Sequence, residues 1–93
     1  MRGVSRSDAE LAMAVGARVA ELRLLLGWTQ LDLAKRARLG RANVARLERG
    51  VHAPSLPLLR NVAHALGFDL AGLLAGVDRR VGESRDGTVR RIA

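Results

Sequence analysis

The chain of 93 residues has a net charge of +7, a hydrophobic fraction of 48% and no cysteine. That length accommodates one domain and no second core, and the absence of cysteine excludes disulfide staples and cysteine-based zinc sites while remaining compatible with a reducing compartment. The apolar residues are almost all Leu, Val and Ala, with one Trp, one Phe and no Tyr, a composition that suits helices better than strands and predicts an all-α fold.

The N-terminal stretch MRGVSRSDAE lacks the apolar core of a secretion signal, and no run approaches the roughly 18 apolar residues that span a bilayer. The expectation is a cytoplasmic protein of bacterial type with no membrane attachment, in which residues 1–7 form an N-terminal arm. A first helix is expected from about Asp8 to Leu26. Ser7 and Glu10 would form its capping box, Leu11, Val15, Val19, Leu22 and Leu26 its inward stripe, and Gly27 its left-handed stop. Gly16 falls in the middle, where glycine costs about 1 kcal/mol relative to alanine.

The segment WTQLDLAKRA predicts a short second helix from Gln30 to Ala37. Thr29 is placed to cap it, Asp32 stands at the third helical position, and Trp28 and Leu33 are spaced as a hydrophobic staple. The turn RLG follows, then a third helix from Arg41 to Arg49 that ends at Gly50. Ser55 is positioned to cap a fourth helix that tolerates Pro57 in its first turn and turns Leu59, Val62, Ala63 and Leu66 inward before Gly67. Asp69 opens a fifth helix with Leu70, Leu73 and Leu74 toward the core, closed by Gly76. Five helices over residues 8–76 are thus expected to form the domain. The remaining VDRRVGESRDGTVRRIA has eight charges in seventeen residues and reads as a basic tail over 77–93, either disordered or contributing TVRRIA as a strand to a dimer or a partner.

Fifteen of the sixteen basic residues are arginine, whose planar fork suits phosphates and guanine edges, so polyanions are the natural partners to consider. On a helical wheel of residues 41–49, Arg41, Ala42, Ala45, Arg46 and Arg49 share one face while Val44 and Leu47 oppose it. Small alanines between long arginines let a backbone approach a groove floor while the guanidinium groups reach past it. A short helix, a three-residue turn and a second helix presenting this face match the helix-turn-helix arrangement for reading a major groove.

The markers Thr29-Gln30, Leu33-Ala34, Leu47-Glu48-Arg49-Gly50, Pro54-Ser55 and Ala65-Leu66-Gly67, in this order and spacing, resemble those of the Cro/C1-type helix-turn-helix family, also called the XRE family or lambda repressor-like domain. The resemblance extends from about Val19 to Leu74. It implies a five-helix lambda repressor-like domain that binds double-stranded DNA as a transcriptional regulator. Arg41, Ala42 and Arg46 match the family positions that meet base edges. Gln30 matches a glutamine that contacts the DNA backbone and braces the reading helix, and Asn43 matches either a phosphate contact or a local hydrogen bonder. Glu48 matches a glutamate that pairs with an arginine on the first helix, here Arg23. Such a pairing would tie the third helix to the first and offset the cost of burying either charge. Arg49, Lys35 and Thr29 complete the expected backbone contacts. Two departures from the family pattern stand in the turn: Arg38 occupies a place usually held by glycine, and Gly40 one usually held by a Ser or Thr cap.

The other chemistry is thin. His52 and His64 are too few and too separated to hold a metal, the serines have capping or turn explanations, and no nucleophile and base stand together, so no enzyme activity and no cofactor are expected. The expected function is sequence-specific DNA binding, as a repressor and homodimer. The alternative is the antitoxin half of a toxin–antitoxin pair that binds a toxin protein through residues 77–93 and regulates its own promoter.

Overall fold

The computed structural model describes residues 6–78, with side chains from residue 8 onward. Five helices follow in order: α1 (Arg6–Leu25), α2 (Gln30–Ala37), α3 (Arg41–Arg49), α4 (Leu56–Ala65) and α5 (Leu70–Leu74). Among the described residues the fold is all-α. Helix α1 packs on α3 and α5, α2 on α3 and α4, and α4 on α5. They enclose a core of Val15, Val19, Leu22, Leu33, Ala34, Val44, Leu47, Leu59, Val62, Leu66 and Leu73.

The helix starts follow local chemistry. Thr29 and Asp32 form a reciprocal capping box on α2, with Asp32 N–H donating to Thr29 Oγ1 at 3.0 Å and Thr29 N–H donating to Asp32 Oδ2 at 2.8 Å. Ser55 accepts from Leu58 N–H at 3.2 Å and Asp69 from Gly72 N–H at 2.7 Å, capping α4 and α5. Gly40 begins α3 in an extended conformation with no side-chain cap.

The ends of α1, α2, α3 and α4 share one pattern, in which a left-handed residue donates back three positions and its successor five. Gly27, Gly50 and Gly67 serve three of these ends, and Arg38 serves α2, with φ 59° and ψ 45°. The turn therefore takes the left-handed geometry expected of a glycine without having one, and Arg38 bears the backbone strain.

Two expectations about α1 need correction. It already includes Arg6 and Ser7, so its start lies two residues before Asp8 and Ser7 is not its cap. Leu11 and Leu26, expected inward, are 41% and 47% exposed. Leu26 has left the helix, and Leu11 lines an apolar groove with Val51, Leu56 and Val77 between the start of α1, the α3–α4 loop and the end of α5. Ala12 and Ala14 are buried in α1 instead, because α1 meets α3 at very close range. A Cβ on Gly16 would come 2.4 Å from the Leu47 carbonyl oxygen and 2.6 Å from that of Glu48, and one on Gly50 would come 2.5 Å from Met13 Cα. The mid-helix glycine thus has a packing reason: it brings α1 against the last turn of α3.

Just beyond this crossing, α1 is tied to α5 through Arg18. Arg18 Nε donates to the Leu73 carbonyl at 3.0 Å and its NH2 to that of Gly72 at 3.4 Å, which also accepts from Ala75 N–H, so the guanidinium caps the C-terminal end of α5. The boundary of the domain also moves. Val77, assigned from sequence to the tail, is 4% exposed and belongs to the core. Of that tail, residues 79–93 lie outside the described residues, as do residues 1–5 of the expected arm.

Candidate nucleic-acid interface

Helix α3 is positioned by its two inward residues. Val44 is fully buried and Leu47 nearly so, while Arg41, Ala42, Asn43, Arg46 and Arg49 are exposed and Ala45 is half-buried. The wheel drawn from sequence is thus the arrangement found: one face of the helix anchors it and the other presents three arginines around two alanines. On the neighbouring α2 and the turn, Lys35, Arg36 and Arg38 are exposed as well. Arg36 stacks 4.2 Å from the Trp28 ring centroid, which restrains its guanidinium beside the α1–α2 turn.

Beneath this face lies an ion pair largely shielded from solvent. Arg23 of α1 donates through Nε to Glu48 Oε2 at 2.7 Å and through NH2 to Glu48 Oε1 at 3.0 Å, a two-pronged contact between side chains only 11% and 7% exposed. The remaining prong, NH1, donates to the Trp28 carbonyl at 2.7 Å. The hydrogen bond to Glu48 raises the Arg23 pKa above its ordinary value against the opposing effect of burial, so the guanidinium stays charged. Breaking such a pair from one side leaves an uncompensated charge.

Gln30, at the first turn of α2, joins this pair to the exposed face. Its Nε2 donates to Glu48 Oε1 at 3.0 Å and its Oε1 accepts from Arg41 NH1 at 3.5 Å. Asn43 Oδ1 accepts from Arg46 NH2 one turn along α3. The hydroxyl of Thr29 accepts from Asp32 N–H and lies against the Asp32 carboxylate, whose pKa the Thr29 backbone N–H and then this hydroxyl lower. The structure therefore links Thr29 and Gln30, at the start of α2, to both ends of α3: Gln30 meets Arg41 at its start and Glu48 in its last turn, with Arg46 and Arg49 on the same exposed face as Arg41. Lys35 points outward from the last turn of α2.

Sequence reasoning did not find the Gln30–Glu48 contact, the Arg18 cap on α5 or the Gly16 crossing. Gly16 left a signal, since a lone glycine inside a helical pattern commonly marks close packing. The other two depend on how helices cross and leave no local trace. A convex helix face with fixed cations, small residues between them and no acidic side chain unpaired within α3 suits a polyanionic groove better than a small-molecule pocket. Among the described residues no group of three His, Cys, Asp or Glu is placed to hold a metal, and no helix is long and apolar enough to cross a membrane.

Comparison with known proteins agrees with this geometry. The helix-turn-helix family matches residues 19–73. The immunity repressor protein of Bacillus phage phi105 is 39% identical over 62 residues, covering 67% of this chain and 43% of the repressor. An uncharacterised helix-turn-helix transcriptional regulator of Bacillus subtilis (strain 168), YqaF, is 40% identical over 47 residues, half of this chain and 62% of the regulator. The chain thus spans less than two thirds of either relative. A crystal structure of the clp gene regulator ClgR from Corynebacterium glutamicum superposes with a TM-score of 0.73 at 32% identity, covering 80% of this chain and 79% of that one.

Proposed function

Because the chain belongs to the Cro/C1-type helix-turn-helix family of DNA-binding transcriptional regulators, we propose that it is a sequence-specific repressor that lays α3 in the major groove of duplex DNA, acting as a homodimer on two half-sites. The observation that supports this most is the exposed face of α3, on which Arg41, Ala42, Arg46 and Arg49 stand over a helix anchored by buried Val44 and Leu47. Arg41 and Arg46 are assigned to guanine edges, with Ala42 giving the backbone close approach. Gln30, Thr29, Asn43, Lys35 and Arg49 are assigned to phosphates, which fix the register without reading sequence. The repressor role is favoured by the likeness to a phage immunity repressor. The reading contains no catalytic step.

The test is a random-library DNA selection with the full chain at moderate salt. A palindromic motif is the expected result. Arg46→Ala should lose preference at one position of each half-site by about 1–3 kcal/mol, whereas Lys35→Ala should weaken all sequences alike and lower the salt slope by about one. If both variants weaken binding uniformly, Arg46 does not read a base. No enrichment at all would overturn the reading in favour of a protein partner, such as a toxin engaged through residues 77–93.

A further inference from the structure

The two arginines assigned to base edges are held in different ways. Arg46 is held by Asn43, a neighbour on its own helix. Arg41 is held from below: Gln30 Oε1 accepts from it at 3.5 Å, Gln30 Nε2 donates at 3.0 Å to Glu48 Oε1, and the Glu48 carboxylate is gripped at 2.7 and 3.0 Å by Arg23. Arg23 belongs to α1, Gln30 to α2, and Glu48 and Arg41 to opposite ends of α3. The chain of contacts therefore runs through all three helices that surround the reading face.

The chemistry of this chain has a direction. An ionised carboxylate only accepts hydrogen bonds and a guanidinium only donates them, while a glutamine amide has one end of each kind. Between Glu48 and Arg41, a single orientation of the Gln30 amide makes both bonds. The flipped amide would set oxygen against oxygen at Glu48 and N–H against N–H at Arg41. With one Nε2 proton committed to Glu48, the other remains for a phosphate oxygen.

We propose that the Arg23–Glu48 pair is a positioning device for base recognition: Glu48 fixes the orientation of the Gln30 amide, and that amide sets the direction in which Arg41 leaves α3. The inference rests on the assignment of Arg41 to a base edge and deepens it. An arginine already restrained gives up less rotamer freedom when it meets a base, so the pair acts on specificity at one position rather than on affinity everywhere. Arg46, which has no link to the pair, is the internal control.

The experiment measures base preference position by position, by library selection with the full-length protein, alongside thermal unfolding. Arg41→Ala and Arg46→Ala each mark the base pair that their arginine reads, by a loss of about fivefold or more. Glu48→Gln keeps the shape but offers both a donor and an acceptor, so the Gln30 amide is no longer forced. Preference is expected to fall roughly twofold or more at the Arg41 pair, stay unchanged at the Arg46 pair, and fall no further at the Arg41 pair in the double variant with Arg41→Ala. Gln30→Met leaves the ion pair intact and removes only the amide. It should show the same selective loss above a uniform weakening from the missing phosphate contact, and it decides the matter if Glu48→Gln does not fold. Unchanged preference at the Arg41 pair, or equal loss at both pairs, overturns the inference and leaves the base assignments standing. If Arg41→Ala itself has no position-specific effect, the base assignment fails and takes the inference with it.

Discussion

Arg38 is the only non-glycine among the described residues with a positive φ, and it stands in the turn between α2 and α3. A left-handed conformation costs an L-residue with a Cβ roughly 1–2 kcal/mol, part of which a glycine would return as extra freedom in the unfolded chain. Arg38→Gly is therefore expected to stabilise the fold by about 0.5–1 kcal/mol, read as a higher midpoint in urea with an unchanged slope. An unchanged or lower midpoint would mean that the exposed guanidinium contributes more than its backbone costs. The family resemblance marked this residue as standing where a glycine is usual. Whether Arg38 takes the left-handed conformation was not legible, since that depends on whether the helices on either side hold the turn in place, and that is a property of their packing.

At the scale of elements, the boundaries of α2 and α3 were readable from their caps, and one of those caps can be tested by pH. The Thr29 backbone N–H and then its hydroxyl hold the Asp32 carboxyl below its ordinary pKa of 3.8. A group whose folded pKa is depressed contributes stability that is fully present above the unfolded value and is lost as pH falls through the folded one. The gap in unfolding midpoint between the wild type and Asp32→Ala should thus be constant from neutral pH down to about pH 5 and close progressively below 3.8. A gap that stays constant into strong acid would show that the carboxylate charge plays no part in the cap. The α1–α3 crossing was not readable in this way, because the partner that crowds Gly16 is some thirty residues away in the chain. Helix propensity alone says that Gly16→Ala should stabilise α1 by about 1 kcal/mol. A Cβ set 2.4 Å from a carbonyl oxygen says the opposite. Backbone does not move aside as a side chain would, so the expected result is destabilisation by about 1–3 kcal/mol, measured by chemical denaturation. A stabilised Gly16→Ala would show that the two helices can separate at no cost.

For the molecule as a whole, the sequence pattern was sufficient for five helices and an exposed basic face on α3 but placed Val77 outside the domain. Val77 follows a glycine and precedes a run of charges, so nothing near it in the chain distinguishes a core residue from a tail residue; only the cleft left between α1 and α5 does. The proposed dimer belongs to this same scale, since one copy offers a single reading helix and the nine residues of α3 can meet only a few base pairs. A repressor needs more discrimination than that, and a two-fold pair supplies it by reading two half-sites about 34 Å apart on one side of the duplex. The spacing is then as strict as the contacts. Inserting about five base pairs, half a helical turn, between the half-sites turns the second site to the far side of the DNA. Linkage of the two binding events is lost, and affinity should fall by roughly 100-fold or more. An insertion of a full turn restores the facing but stretches the dimer, so it should recover little unless the two copies are joined loosely. Measured by titration of the selected site and its two spaced derivatives, equal affinity for all three would mean that each copy binds alone, and the proposal of a rigid two-fold repressor would fall while the helix-turn-helix reading of each half-site remained.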